Sequence, residues 1–138
     1  IAQAIWKCKP AGIKAYGTES GTAVDAARIT HTVNFFRVTG GDPFYMRLTV
    51  TEYREEQLPR DYANQLKTQI ANWALTEYTR GKDIIPQRAI QAVYKVPGID
   101  TVNVEVSLDG QSWTTDRIPV MEASYAKLPV ENISVEGP

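Results

Sequence analysis

Between Thr101 and Leu108 the chain alternates without a break, Thr101, Asn103, Glu105 and Ser107 against Val102, Val104, Val106 and Leu108. Successive side chains of a strand point to opposite faces, so this segment predicts a strand with one dry and one wet face, closed by an Asp109, Gly110 turn. Phe44, Met46, Leu48 and Val50 repeat the pattern against Tyr45, Arg47, Thr49 and Thr51, after a turn expected over Gly40, Gly41, Asp42 and Pro43. Two half-buried strands need a cover, and the sequence between them supplies one. Pro59 suits a first helical position, Asp61 meets the positive end of the helix dipole, and Gly81 suits a left-handed stop after Arg80. A long helix is predicted from Pro59 to Arg80. Tyr62, Ala63, Leu66, Ile70 and Trp73 share one arc of its wheel, with Leu66, Ile70 and Trp73 as the contact to the sheet.

A second, short helix is expected from Pro86 to Lys95, with Ile90, Val93 and Tyr94 inward and Pro97, Gly98 ending it. Upstream, Thr22 to Val24 and Ile29 to Phe36 read as a hairpin whose Ile29, His31, Val33 and Phe35 share a side. Ile1, Ala2, Ile5 and Trp6 have helical spacing, stopped at Pro10, Gly12, and predict the last turns of a helix that begins earlier in a longer protein. The chain returns through Ile118, Val120 and Met121 and closes on a strand with Ile133 and Val135. The fold class expected is α+β: a mainly antiparallel sheet covered on one face by one long and one short helix, with an N-terminal β-hairpin, in a single domain of residues 1–138.

Charge and composition remove several functions. A net charge of -1 offers no broad positive field for phosphate, so neither nucleic acid nor an anionic membrane is expected as a partner. One cysteine and one histidine preclude an intramolecular disulfide and a Cys/His zinc site, and the cysteine usage fits a reducing compartment. No GxGxxG or Gly-Lys-Ser/Thr motif appears, and no apolar run reaches the roughly 20 residues of a spanning helix. No cofactor, metal or catalytic residue is expected.

Some residues still invite chemistry. His31 alternates in phase with strand residues and reads as half-buried rather than as a catalytic base. Cys8, between Lys7 and Lys9, reads as a packing thiol. Glu52, Glu55, Glu56 and Asp61 gather before the long helix, where paired carboxylates would suit glycoside hydrolysis, although a solvated connection is the simpler reading. Asp109, Asp116 and Trp113 suggest a cation or sugar site, without the oxygen-ligand spacing of an EF-hand.

Several stretches carry a resemblance to a known family: AIWKCKPAGIKAYG from Ala4 to Gly17, Thr32 to Arg37, PFYMRLTVT from Pro43 to Thr51, and KLPVENISV from Lys127 to Val135. The most specific is Ile85 to Val106, IPQRAIQAVYKVPGIDTVNVEV, a helix ending in Val-Pro-Gly-Ile that enters an alternating valine strand. Together they resemble the C-terminal part of the baseplate J-like proteins of contractile-tailed phages of the Mu-like and P2-like kind. The chain departs from that pattern at Ala26, Ala27, where the hairpin turn often has an Asp-Gly pair.

The resemblance implies a non-enzymatic wedge component of a phage, prophage or tailocin tail baseplate, acting by protein–protein association during tail assembly. Its implied partners are other baseplate and tail proteins and an N-terminal part of its own chain, with a homo-oligomer compatible with the assembled baseplate. Its implied location is the virion tail baseplate, and the host cytoplasm during assembly. The alternatives are a carbohydrate-binding or adhesion module using Trp113 and Asp109, and a small hydrolase on the Glu52 to Asp61 carboxylates. For association, the wheel offers Ala71, Leu75 and Tyr78, about 140°, 180° and 120° from Leu66, as a candidate interface on the long helix's outer face.

Overall fold

The computed structural model describes residues 1–37 and 41–138. Gly40 of the expected turn lies outside the described residues. The chain divides into two compact units, Ile1–Thr39 and Gly40–Pro138, where length alone leads to one domain. The division follows the apolar residues, which form two separate cores.

The first unit comprises helix α1 (Ala2–Cys8) and a hairpin of β1 (Glu19–Val24) and β2 (Thr30–Phe35). Ala2, Ala23, Val33 and Phe35 are its buried core, with Ile5, Trp6 and Ala15 packed around them. The expected phase of the hairpin holds for Val33 and Phe35, while Ile29 falls in the turn and stays 56% exposed. The turn works without an Asp-Gly pair because Asp25 does the work of one. Its carboxylate accepts from the backbone N–H groups of Ala27 and Ile29, both at 2.9 Å, and Arg28 takes the left-handed φ of 65°.

The second unit is built on a three-stranded sheet in the order β5 (Ile99–Ser107), β4 (Tyr45–Glu52), β7 (Ile133–Glu136). β4 pairs antiparallel with β5, Leu48 opposite Val104 and Met46 opposite Val106. β7 joins on the other side in parallel, which the sequence did not announce. A parallel partner needs a long return path, and the chain between β4 and β7 provides it. A two-residue parallel ladder links β3 (Asp42–Pro43) to β6 (Ala126–Lys127).

Helix α2 (Tyr62–Glu77) covers one face of this sheet together with a 3₁₀ turn (Pro86–Ala89) and the short α3 (Ile90–Val93). The architecture is α+β, with α2 and α3 covering the sheet of the second unit and an N-terminal hairpin in the first. Leu66 and Ile70 are wholly buried in the same core as Met46, Leu48 and Ile133, and Trp73 is half-buried at its margin. Some expected inward positions turn out otherwise, Tyr62, Ala63 and Ile90 being only half-buried. Leu108 is 61% exposed because β5 ends one residue earlier, at a buried Ser107 whose hydroxyl accepts from Gly110 N–H. Tyr94, past the end of α3, is half exposed and donates its phenol to the Asp100 carbonyl. Val102 is only half-buried. Among the described residues no helix is long and apolar enough to cross a membrane.

Candidate interaction surface

The long helix stops earlier than its composition predicts. Thr76 donates its hydroxyl to the Trp73 carbonyl in the last turn, and at Tyr78 the backbone leaves the helix at ψ 74°. Arg80 therefore does not face the helix terminus; it donates to the Glu122 carbonyl at 2.8 Å. Gly81 does adopt a positive φ, of 70°, but at a contact with the Ser124 carbonyl rather than as a helix stop. This early exit corrects the reading of Tyr78 as an outer-face residue. Its side chain is 5% exposed, edge-on to the rings of Phe44 and Trp73 with centroids 5.3 Å away in each case. A wheel extended past the last helical residue places a side chain where no helix exists, and burial of a large aromatic outweighs one more helical turn.

The other two candidate residues stay on the helix. Ala71 is half-buried against the core, and Leu75 is 81% exposed. All three border one groove of about 370 Å³, with Tyr125, Leu128 and Val130 among the residues of the opposite wall. Lys127 is the one charged residue in its lining. The opposite wall is fixed through its backbone. Asp42 N–H donates to the Tyr125 carbonyl at 2.9 Å, Phe44 N–H to that of Lys127 at 3.0 Å, and the Asn132 side chain to that of Phe44 at 3.1 Å. A nearly uncharged concavity with a hydrogen-bonded wall and an exposed leucine on its rim has the chemistry to receive an apolar side chain.

Among the described residues no hydrogen-bond partner reaches the buried Tyr78 hydroxyl, and burial pushes its pKa well above the usual phenol range. It stays protonated, beside an ion pair between Arg88 and Glu77.

The residues that invite catalysis are dispersed. His31 is half-buried, its Nε2 2.8 Å from the Asp25 carboxylate and its ring stacked on Trp6 at 4.1 Å. Cys8 is exposed, and the nearby Lys9 ammonium lies over the Trp6 ring. Glu52, Glu55 and Glu56 border one shallow surface depression, whereas Asp61 sits at the start of α2 and accepts from the Gln65 side chain. Among the described residues no group of three or more His, Cys, Asp or Glu is placed to hold a metal ion.

Asp109 and Trp113 are both engaged. The Asp109 carboxylate accepts from the N–H groups of Ser112 and Gln111 and from the Ser107 hydroxyl, which together hold its pKa down at about 2. Arg47 lies over the ring of Trp113 with its guanidinium carbon 4.5 Å from the centroid, and is itself bonded to Glu105 at 2.8 Å. A stacking platform for a sugar needs an open aromatic face, and one face of this ring is covered. The groove's far wall was not singled out from sequence, although Leu128 and Val130 lie in the closing segment that carries part of the resemblance. No family model and no curated protein matches this chain.

Proposed function

We propose that this chain is a structural component of a contractile-tail baseplate, of phage, prophage or tailocin origin, that acts by docking neighbours and not by catalysis. The observation that carries the reading is the groove between α2 and residues 125–130, with a single charged lining residue and Leu75 standing 81% exposed on its rim. An isolated exposed leucine is ordinary, but one that borders a backbone-fixed apolar concavity is the anatomy of an interface core. The order of the resembling segments along the chain supports a baseplate as the assembly. In this reading the protein works in the tail baseplate of the particle and passes through the host cytoplasm during assembly. Its partners there are other baseplate and tail proteins.

The test is Leu75→Arg. Because Leu75 is outside the core, the variant is expected to melt as the wild-type chain does, while its incorporation into particles is lost. A large loss of thermal stability would make Leu75 a core residue, and normal incorporation with arginine in place would overturn the interface.

A further inference from the structure

The hairpin of the first unit has two edges, and the structure treats them differently. Asp25 N–H bonds to the Ile29 carbonyl, and Ala23 lies opposite His31 and Gly21 opposite Val33. In that phase the even-numbered residues turn their N–H and C=O groups out of the hairpin. At the β1 edge both outward groups of Val24 are taken by the amide of Gln3, which donates to the carbonyl at 3.0 Å and accepts from the N–H at 2.9 Å. A side-chain amide stands there in place of a neighbouring strand's peptide.

At the β2 edge the outward groups belong to Thr30, Thr32 and Asn34, and no hydrogen bond among the described residues reaches them. Open edges are ordinarily guarded by lysine, proline or a bulge, and β2 has none of these. It also has no Asp, Glu, Lys or Arg, whereas β1 carries Glu19, β4 Arg47 and Glu52, β5 Asp100 and Glu105, and β7 Glu136.

We propose that β2 pairs antiparallel with β2 of a second copy of this chain, about a two-fold axis at Thr32, to form a four-stranded sheet. In that register Thr32 meets its own counterpart, Thr30 meets Asn34, and each outward N–H finds an outward carbonyl. The register points to a second copy: about Thr32 the outward groups of one β2 meet those of another in phase, and no Asp, Glu, Lys or Arg opposes that pairing. Self-pairing sets every residue of a strand against the same short sequence, and like charges across a sheet are destabilising. β2 brings no such pair together. The interface also supplies what the hairpin lacks, since two strands alone are marginal and three or more give a sheet its stability. A closed two-fold arrangement uses the same edge on both copies.

The test is the mass of the whole chain in solution by analytical ultracentrifugation. The expected species is twice 15.4 kDa. Thr32→Pro deletes the central outward N–H, which the hairpin does not itself use, and should give a monomer with unchanged circular dichroism. Thr32→Lys keeps the backbone donor and sets two ammonium groups across the axis; it should also be monomeric at low salt, with dimer returning as salt screens them. In a Cys8→Ser background, Thr32→Cys should oxidise to a linked dimer. A wild-type chain that sediments as a monomer throughout the micromolar range would overturn the proposal and leave the edge to a strand of another protein. A dimer that survives Thr32→Lys and does not cross-link at position 32 would place the interface elsewhere and overturn it as well.

Discussion

Leu66 and Leu75 lie on the same helix and differ in one respect, 0% against 81% exposure. Truncating each to alanine separates burial from everything else the substitution changes, because both changes raise helix propensity by the same small amount. At Leu66 the substitution removes roughly three methylene equivalents of dry surface, about 2.4 kcal/mol at about 0.8 kcal/mol each. Met46, Leu48 and Ile133 of the same core are held on paired strands, so the sheet side of that core cannot close fully on a gap. An unfilled cavity adds a further ~1–2 kcal/mol. The expected loss is therefore about 3–4.5 kcal/mol, against less than about 0.5 kcal/mol for Leu75→Ala. At roughly 4–8 °C per kcal/mol for a small domain, Leu66→Ala should melt at least about 12 °C below wild type. Differential scanning calorimetry of the two variants decides it. Equal melting temperatures would refute the packing of α2 on the sheet through Leu66.

Asp109 should give an acid-dependent contribution. Its folded pKa of about 2 lies below that of a free aspartate, so its stabilisation is present above about pH 4 and is lost as pH falls towards 2. Asp109→Asn should melt below wild type at pH 7 and converge with it near pH 2; a gap constant with pH would remove the ionic part of the argument. Gly98 combines a φ of +83° with a site where a Cβ would stand 2.8 Å from the Leu58 backbone. Gly98→Ala should cost at least ~1–2 kcal/mol in urea unfolding, and an unchanged midpoint would contradict the strain. Tyr78→Phe removes a buried hydroxyl that has no partner among the described residues while keeping the ring, so urea unfolding should find it neutral or stabilised by up to ~1 kcal/mol. A clear destabilisation would show that the hydroxyl is bonded in solution.

Strand periodicity was legible because it depends on local geometry alone. The alternation from Phe44 to Val50 and from Val102 to Val106 sets the face that packs on α2, and Met46, Leu48, Val104 and Val106 are buried where that period puts them. What lies at element ends was less legible, since ends are decided by competition between local propensity and distant burial. β5 stops at Ser107 because the serine hydroxyl and Asp109 carboxylate bond the turn that follows. Two features depend on partners far along the chain. The parallel placement of β7 follows from the return path, and the second core follows from α1 reaching Ala23, Val33 and Phe35. No local period encodes either.

The candidate site shows the same boundary between what a wheel can and cannot determine. Leu75 was legible as outward because it follows Leu66 by nine positions of regular helix. Tyr78 was not, because its position depends on where the helix ends. Burying a tyrosine ring against Phe44 and Trp73 recovers more than the remaining turn to Arg80 would contribute, so the chain leaves the helix there at the expense of a hydroxyl with no partner among the described residues. That exit shapes the groove as well as the core. With Tyr78 turned inward it contributes to the lining between Ala71 and Leu75 on one side and Leu128 and Val130 on the other, while Leu75 remains at the rim. The three residues read from sequence as one apolar face thus divide, Ala71 half-buried, Tyr78 fixing the geometry from within, and Leu75 left exposed at the rim.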